Sequence, residues 1–90
     1  MPKVVIYTGA NCSYCVAAKR YLREVKRVPF EEIDLTGQIE ARRELAQRSG
    51  QMTIPQIFIG AVHVGGYTDL RALDARGGLD PLLADPPSDP

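Results

Sequence analysis

The two cysteines of the chain stand three positions apart, in the run Cys12-Ser13-Tyr14-Cys15. Two thiols at this spacing can close a small disulfide ring and exchange it with another molecule, because a thiolate attacks a disulfide sulfur directly. Side chains at this spacing on a regular helix have Cβ atoms ~5–6 Å apart, whereas a disulfide requires ~3.8 Å, so closing the bond tightens the first turn. A ring this short adds little stability by loop closure, so the spacing favours a catalytic role.

The flanking residues place this pair at the start of a helix. Residues 3–8 form an apolar, β-branched run that predicts a strand, and residues 16–26 predict a helix. Asn11 is a good N-cap residue, which puts Cys12 in the first helical turn and Cys15 one turn deeper on the same face. The unpaired N–H groups and the positive end of the helix dipole favour a thiolate there. We therefore expect the pKa of Cys12 to fall below the ~8.5 of a free cysteine.

Other interpretations of the cysteine pair use the same residues. A C-x-x-C pair is half of a tetrahedral zinc site, but such a site requires four ligands and His63 is the one histidine of the chain. His63 alternates with Val62 and Val64, and we predict that it points to solvent without a catalytic role. A copper-chaperone-like domain also carries this motif before a helix, but it requires the element order βαββαβ, which this chain does not supply. Two buried and chemically inert cysteines stay open as an alternative.

Length and composition describe a single domain of balanced charge. The chain has 90 residues, of which 44% are hydrophobic, and it carries 11 acidic and 11 basic side chains. This balance gives no basis for binding nucleic acid, and no apolar segment reaches the ~20 residues that a membrane helix requires. The first residues run straight into a strand, so we expect no signal peptide. In a reducing compartment a lone cysteine pair more often serves catalysis or metal binding than structure, and we expect a cytoplasmic monomer.

The rest of the chain alternates strands and helices within one predicted domain, residues 1–83. The further predicted elements are a strand at 30–35, a helix at 38–49, a hairpin of strands at 56–59 and 62–64, a helix at 70–76 capped by Thr68 or Asp69, and a last helical turn at 79–83. The partly apolar face of the first helix consists of Val16, Lys19, Tyr21, Leu22 and Val25. One stripe of the second helix consists of Ile39, Arg42, Leu45 and Ala46. Residues 84–90 are rich in Pro and Asp and are predicted to be a disordered tail.

The element order βαβαββα predicts an α/β fold with a mixed four-stranded sheet and helices on both faces. Its first strand, helix and strand form a right-handed βαβ unit, so these two strands should be parallel. Together with the C-x-x-C after the first strand and the apolar residue and proline before the third, this order describes a minimal thioredoxin-like fold. Within that class the chain resembles the glutaredoxins of the small bacterial type. The resemblance extends to about residue 83 and rests on Tyr7-Thr8, Arg48-Ser49-Gly50 and residues 53–59, 65–70 and 72–79.

The resemblance implies a glutathione-dependent thiol–disulfide oxidoreductase. Cys12 would attack a protein–glutathione mixed disulfide and keep the glutathione, which a second glutathione would then release. With protein disulfides as substrates, Cys15 would resolve the intermediate by forming the Cys12–Cys15 disulfide. The implied partners are glutathione and proteins that carry glutathione or a disulfide.

The resemblance also implies where glutathione binds. The backbone of Ile54 would pair with the tripeptide ahead of a cis-proline at Pro55, Asp69 would meet the γ-glutamyl ammonium with Thr68 at the neighbouring carboxylate, and Arg42 would meet the glycyl carboxylate. The complete set of implied contacts is Tyr14, Arg42, Thr53, Ile54, Pro55, Gly66, Thr68 and Asp69.

Two positions depart from the family pattern. Gly9 stands where the family commonly has a lysine for the glycyl carboxylate, and Ser13 stands where the commoner motif has proline. Some glutaredoxins with serine at that place assemble a dimer around a [2Fe–2S] cluster, held by the first cysteine of each chain and two glutathiones. The alternative function is therefore a cluster carrier or redox sensor with Cys12 as the ligand; no other metal is expected.

Overall fold

A mixed four-stranded sheet in the order β2-β1-β3-β4 forms the centre of the fold. The computed structural model describes residues 2–51 and 53–84. Its strands are β1 Val4–Thr8, β2 Glu31–Asp34, β3 Gln56–Ile59 and β4 Val62–Gly65. Its helices are α1 Ser13–Arg20, continued by a π-helical turn Tyr21–Val25, then α2 Ile39–Ser49, α3 Tyr67–Ala75 and α4 Leu79–Ala84.

The strand pairing confirms the predicted topology. β1 and β2 are parallel, with Ile6 opposite Glu32, as the βαβ unit requires. β3 is antiparallel to β1 and to β4, so the hairpin completes the sheet on the far side of β1. This is the thioredoxin-like arrangement, with α4 as a short helix after the predicted order. It brings the end of β1, the start of α1 and the start of β3 to one edge of the molecule.

One face of the sheet carries the main hydrophobic core. Alternate residues of β1 and β3 point to this face, where α1, α3 and α4 cover them. The buried cluster consists of Val4, Ile6, Ala18, Leu22, Ile57, Ile59, Leu70, Leu79 and Leu83. The small side chain of Ala18 lets α1 approach the sheet, and the fully buried Leu22 fixes the rotation of the helix.

The predicted inner faces of the first two helices are partly wrong. Val16 is 55% exposed and Val25 is 59% exposed, because the rotation set by the buried Ala18 and Leu22 turns them outward. In α2 only Leu45 is buried, and Ile39 at the first turn is 66% exposed. A weakly amphipathic sequence leaves the rotation of a helix to the packing of its few small or fully buried side chains.

On the second face of the sheet, α2 packs against aromatic side chains. The guanidinium of Arg48 on α2 lies 5.4 Å from the ring centroids of both Tyr7 and Phe58, and Arg48 Nη2 donates to the Tyr7 hydroxyl at 2.7 Å. Tyr7 alternates with the buried Ile6, so α2 lies across the sheet from α1. Helices therefore cover both faces, as predicted.

The ends of the later helices show one confirmed and one wrong prediction. α2 ends at Gly50, which adopts φ 73° and donates its N–H to the carbonyl of Ala46, as expected of a glycine stop. α3 begins at Tyr67 with Gly66 as its N-cap, rather than at residue 70 with Thr68 or Asp69 as the cap. Asp69 instead reaches back to the cap from the third helical position.

The last helix extends one residue beyond the helical turn predicted at 79–83. Ala84, which the sequence assigned to the tail, ends α4, and the rest of the expected tail at 85–90 lies outside the described residues. Within residues 2–51 and 53–84, no helix combines the length and the apolar character needed to cross a membrane.

Candidate active site

Cys12 caps the N-terminus of α1. It has an extended backbone (φ −116°, ψ 101°), and its Sγ accepts a hydrogen bond from the Cys15 N–H at 3.1 Å. Asn11, the predicted cap, lies one residue earlier in the left-handed region (φ 55°), where Asn is tolerated and where the chain turns from β1 into α1. The prediction is therefore wrong by one position, and the sulfur itself takes the place of the capping oxygen. This geometry stabilises a thiolate in the reduced protein.

The two sulfurs differ in their access to solvent. Cys12 and Cys15 are joined as a disulfide with Cα atoms 5.2 Å apart. Cys15, in the first turn of α1, is only 2% exposed, whereas Cys12 is partly exposed. A second molecule can therefore reach the sulfur of Cys12, and Cys15 is reached through it.

The segment before β3 lies directly against Cys12. The Ile54–Pro55 peptide bond is cis, as the resemblance implied, and the Ile54 carbonyl oxygen lies 3.8 Å from Cys12 Sγ. On the other side of Ile54, its Cδ1 atom comes within 2.6 Å of the point where a Cβ on Gly9 would stand. A side chain at position 9 would therefore require the Ile54 side chain to move.

A groove of about 200 Å³ opens beside these residues. Seven of the eight predicted glutathione contacts lie around it, namely Tyr14, Thr53, Ile54, Pro55, Gly66, Thr68 and Asp69. Gln51 and Tyr67 also line it and were not predicted. Both stand within or next to segments that the resemblance had already marked, so the position in those segments was the available signal.

The N-terminus of α3 forms one wall of the groove. Asp69 Oδ2 accepts the Gly66 N–H at 2.9 Å, which leaves the second carboxylate oxygen available to a ligand. Gly65 has φ 112°, and a Cβ there would collide with the Asp69 carboxylate. The Gly65-Gly66 pair thus lets Asp69 fold back over the helix start. Across the groove, the rings of Tyr14 and Tyr67 lie 6.2 Å apart.

Two of the predicted residues stand apart from the groove. Arg42 is exposed on α2, does not line the groove, and its side chain makes none of the hydrogen bonds or ion pairs found in the described part of the chain. Ser13 is exposed at the first position of α1.

His63, predicted to point to solvent, is instead partly buried on β4 and lies 2.6 Å from the side-chain oxygen of Gln56.

A polar cluster ties α1 to the edge of the sheet one turn beyond Cys15. Thr8 Oγ1 donates to Glu32 Oε2 at 2.7 Å, and Lys19 Nζ lies 3.0 Å from the same oxygen. The hydrogen bond from Thr8, followed by that from Lys19, lowers the pKa of Glu32. Glu32 therefore stays ionised and, from β2, holds the last turn of α1 and the end of β1 together.

Comparison with known proteins agrees with this geometry. Residues 4–64 match the family model described as Glutaredoxin. Glutaredoxin 3 of Escherichia coli K12 is 54% identical over 83 residues, covering 92% of this chain and 99% of the relative. The glutaredoxin of Pseudomonas aeruginosa PAO1 is 54% identical over 84 residues, covering 93% and 99% of the two chains.

Solved structures show the same fold. The solution structure of glutaredoxin from Brucella melitensis superposes with a TM-score of 0.81 at 52% identity, covering 92% of this chain and 89% of that one. A crystal structure of a buckwheat glutaredoxin–glutathione complex superposes with a TM-score of 0.82 at 28% identity, covering 91% and 76%. The chain therefore belongs to the glutaredoxin family of thiol–disulfide oxidoreductases.

Proposed function

We propose that this glutaredoxin uses glutathione to reduce protein–glutathione mixed disulfides through Cys12 alone, and protein disulfides through Cys12 and Cys15 together. The observation that carries the proposal is the partly exposed Cys12 sulfur at the N-cap of α1, 3.8 Å from the Ile54 carbonyl oxygen and beside the groove. The buckwheat relative solved with glutathione supports the choice of ligand.

In the monothiol route, the Cys12 thiolate attacks the glutathione sulfur of a mixed disulfide. A bond forms between Cys12 and glutathione, and the substrate protein leaves as its thiolate, which takes up a proton. The thiolate of a second glutathione then attacks the same glutathione sulfur, producing glutathione disulfide and restoring the Cys12 thiolate. The N-cap position favours both steps, because a stabilised thiolate is also the better leaving group.

In the dithiol route, Cys12 attacks a protein disulfide and forms a mixed disulfide with one of its sulfurs. Cys15, as a thiolate, attacks Cys12 Sγ, which releases the reduced protein and leaves the Cys12–Cys15 disulfide. Two glutathiones reduce this disulfide and leave as glutathione disulfide. In the closed ring the Cα atoms lie 5.2 Å apart, within the range that a disulfide requires, and the ring spans only the N-cap and first turn of α1.

Different residues of the groove can contact the two charged ends of the glutathione tripeptide. We propose that the γ-glutamyl ammonium lies at the second oxygen of Asp69 and that the γ-glutamyl carboxylate accepts from the N–H and the hydroxyl of Thr68, where the start of α3 favours an anion. The cysteinyl backbone pairs with Ile54, which directs the glutathione sulfur toward Cys12. Arg42 is proposed for the glycyl carboxylate.

Steady-state kinetics of the two cysteine variants test these routes. We expect Cys12→Ser to lose activity on both a glutathionylated peptide and a protein disulfide, because the second thiol is buried. We expect Cys15→Ser to keep the first activity and lose the second. A Cys15→Ser variant inactive on the glutathionylated peptide, with Cys12→Ser active on it, would reverse the assigned roles.

A second candidate function is a glutathione-ligated [2Fe–2S] cluster shared by two chains. The buried Cys15 leaves one accessible thiolate per chain, which fits a cluster completed by two glutathione sulfurs. A relative with 52% identity is the subject of a structure named for metal binding of glutaredoxins. Ser13, exposed beside Cys12, does not impose the rigidity of a proline there.

Anaerobic reconstitution with iron, sulfide and glutathione tests the cluster. We expect visible charge-transfer absorption and a dimer on gel filtration, both reduced in Ser13→Pro. A protein that stays colourless and monomeric would exclude the cluster. Without a cluster we propose a monomer located in the cytoplasm, where the glutathione pool keeps thiols reduced.

A further inference from the structure

A completely buried amide side chain lies behind the groove. Gln56, the first residue of β3, is 0% exposed. Its Nε2 donates to Gln51 Oε1 at 2.8 Å and to the carbonyl and hydroxyl oxygens of Thr53 at 3.0 and 3.2 Å. Its Oε1 lies 2.6 Å from His63 Nε2. Because a buried amide without partners is costly, these four contacts fix where the side chain points.

The contacts also determine the orientation of the amide and the proton on His63. A carbonyl oxygen only accepts, so the Gln56 atom that faces the Thr53 carbonyl must be the nitrogen. The Gln56 oxygen then faces His63 and can only accept. His63 Nε2 must therefore carry a hydrogen, which it does in the neutral Nε2–H form and in the imidazolium form alike.

The sheet holds His63 in place, but it does not hold Gln51 and Thr53, the residues that contact the other end of the Gln56 amide. Its ring packs on Phe58, with centroids 4.9 Å apart, and its backbone is paired with β3 in register with Phe58. Gln51 and Thr53 each lie outside the helices and strands, and both are exposed on the groove. The Gln56 amide thus connects His63 in β4 to two residues that line the groove, Gln51 and Thr53.

We propose that His63, acting through Gln56, is a positioning residue for glutathione. The set His63, Gln56, Gln51 and Thr53 forms the Gln56 relay. The relay holds Gln51 and the Thr53 backbone, and with them the neighbouring Ile54, at the distance from Cys12 that the bound tripeptide requires. This inference rests on the glutathione binding proposed above and adds a residue that does not line the groove.

The test compares two substitutions at position 63. His63→Phe keeps a ring against Phe58 but removes the donor, so the Gln56 oxygen is left unpaired and the amide is free to turn away from Thr53. His63→Gln restores the donor, because its Nε2 lies the same number of bonds from Cα. Val62→Ala, at the exposed neighbour on β4, is the matched control.

We expect KM for glutathione to rise roughly three- to tenfold in His63→Phe, the effect of one lost hydrogen bond, with kcat nearly unchanged. His63→Gln and Val62→Ala should keep the wild-type KM. An unchanged KM in His63→Phe, or an equal rise in His63→Phe and His63→Gln, would overturn the relay. Thermal unfolding of each variant separates these effects from a general loss of stability.

Nuclear magnetic resonance gives a measurement that does not depend on turnover. Long-range ¹H–¹⁵N correlation should show a hydrogen on Nε2 of His63, and the Gln56 side-chain amide should exchange slowly in the wild type and faster in His63→Phe. An Nδ1–H form contradicts the relay. If the wild type shows no glutathione-dependent turnover, the proposed function fails; if turnover is normal and the His63→Phe KM is unchanged, the relay alone fails.

Discussion

Replacing Asp69 by asparagine separates the charge of this carboxylate from its hydrogen bond to α3. One oxygen accepts the Gly66 N–H at 2.9 Å, and the amide oxygen of asparagine can accept the same bond. The negative charge proposed for the γ-glutamyl ammonium is lost. A hydrogen bond to a charged group contributes about 1.5–3 kcal/mol, and the exposure of Asp69 favours the lower end. A loss of about 1.4 kcal/mol corresponds to roughly a tenfold rise in KM for glutathione.

The assay is glutathione-dependent reduction of a small mixed disulfide, coupled to glutathione reductase, with Asp69→Ala as the comparison. Asp69→Ala also loses the contact with the helix cap, which costs about 0.5–2 kcal/mol, so its melting temperature should fall by about 4–8 °C per kcal/mol. Asp69→Asn keeps this contact and loses only the favourable interaction of its charge with the start of α3, about 0.3–1 kcal/mol, so its melting temperature should fall less than that of Asp69→Ala. A wild-type KM in the asparagine variant would refute the assignment of this carboxylate to the ammonium group.

Three further predictions concern binding and stability. Arg42→Ala should raise KM for glutathione by up to roughly tenfold, and an unchanged KM would remove Arg42 from the site. Gly9→Lys should lower KM only if the Ile54 side chain moves away from position 9. The pKa of Asp74 is lowered, first by a hydrogen bond from the Tyr21 hydroxyl and then by a hydrogen bond from the Lys26 ammonium. The ionised Asp74 therefore stabilises the folded protein above the ~3.9 of a free aspartate, and this stabilisation is lost as the pH falls through the lower pKa of the folded state. The melting temperature should therefore decrease less between pH 7 and pH 3 for Asp74→Asn than for the wild type. Leu22→Ala, at a fully buried position, should lower the free energy of unfolding by about 2–5 kcal/mol in urea denaturation.

The sequence predicted the topology because its strands and turns are strongly marked. β-branched runs, the Gly50 stop and the βαβ spacing each correspond to one element, and the strand pairing follows from them. Helix rotation was predicted less well, since Val16 resembles an inward-facing residue until the packing of Ala18 and Leu22 is known, and Ile39 does so until the packing of Leu45 is known. Rotation depends on which side chains fit against the sheet, and sequence periodicity in a short helix does not determine that.

The site was predicted mainly through the resemblance, which drew on segments distant in the chain. Neither spacing nor propensity could show that Cys12 itself caps α1, because the left-handed turn at Asn11 is set by the exit of β1. The role of Gln56 was also beyond the sequence. A glutamine at the start of a strand looks like a surface residue, and only the fold shows that it is buried between His63 and Thr53.

The most direct test of the account is where glutathione goes in a single transfer. Cys15→Ser protein, reduced and then mixed with one equivalent of a glutathionylated peptide, is quenched with acid and mapped by mass spectrometry. We expect glutathione on Cys12 and a free peptide thiol, because the groove directs the glutathione sulfur toward Cys12. Peptide bonded to Cys12 with glutathione released, or glutathione transferred to no residue, would contradict it.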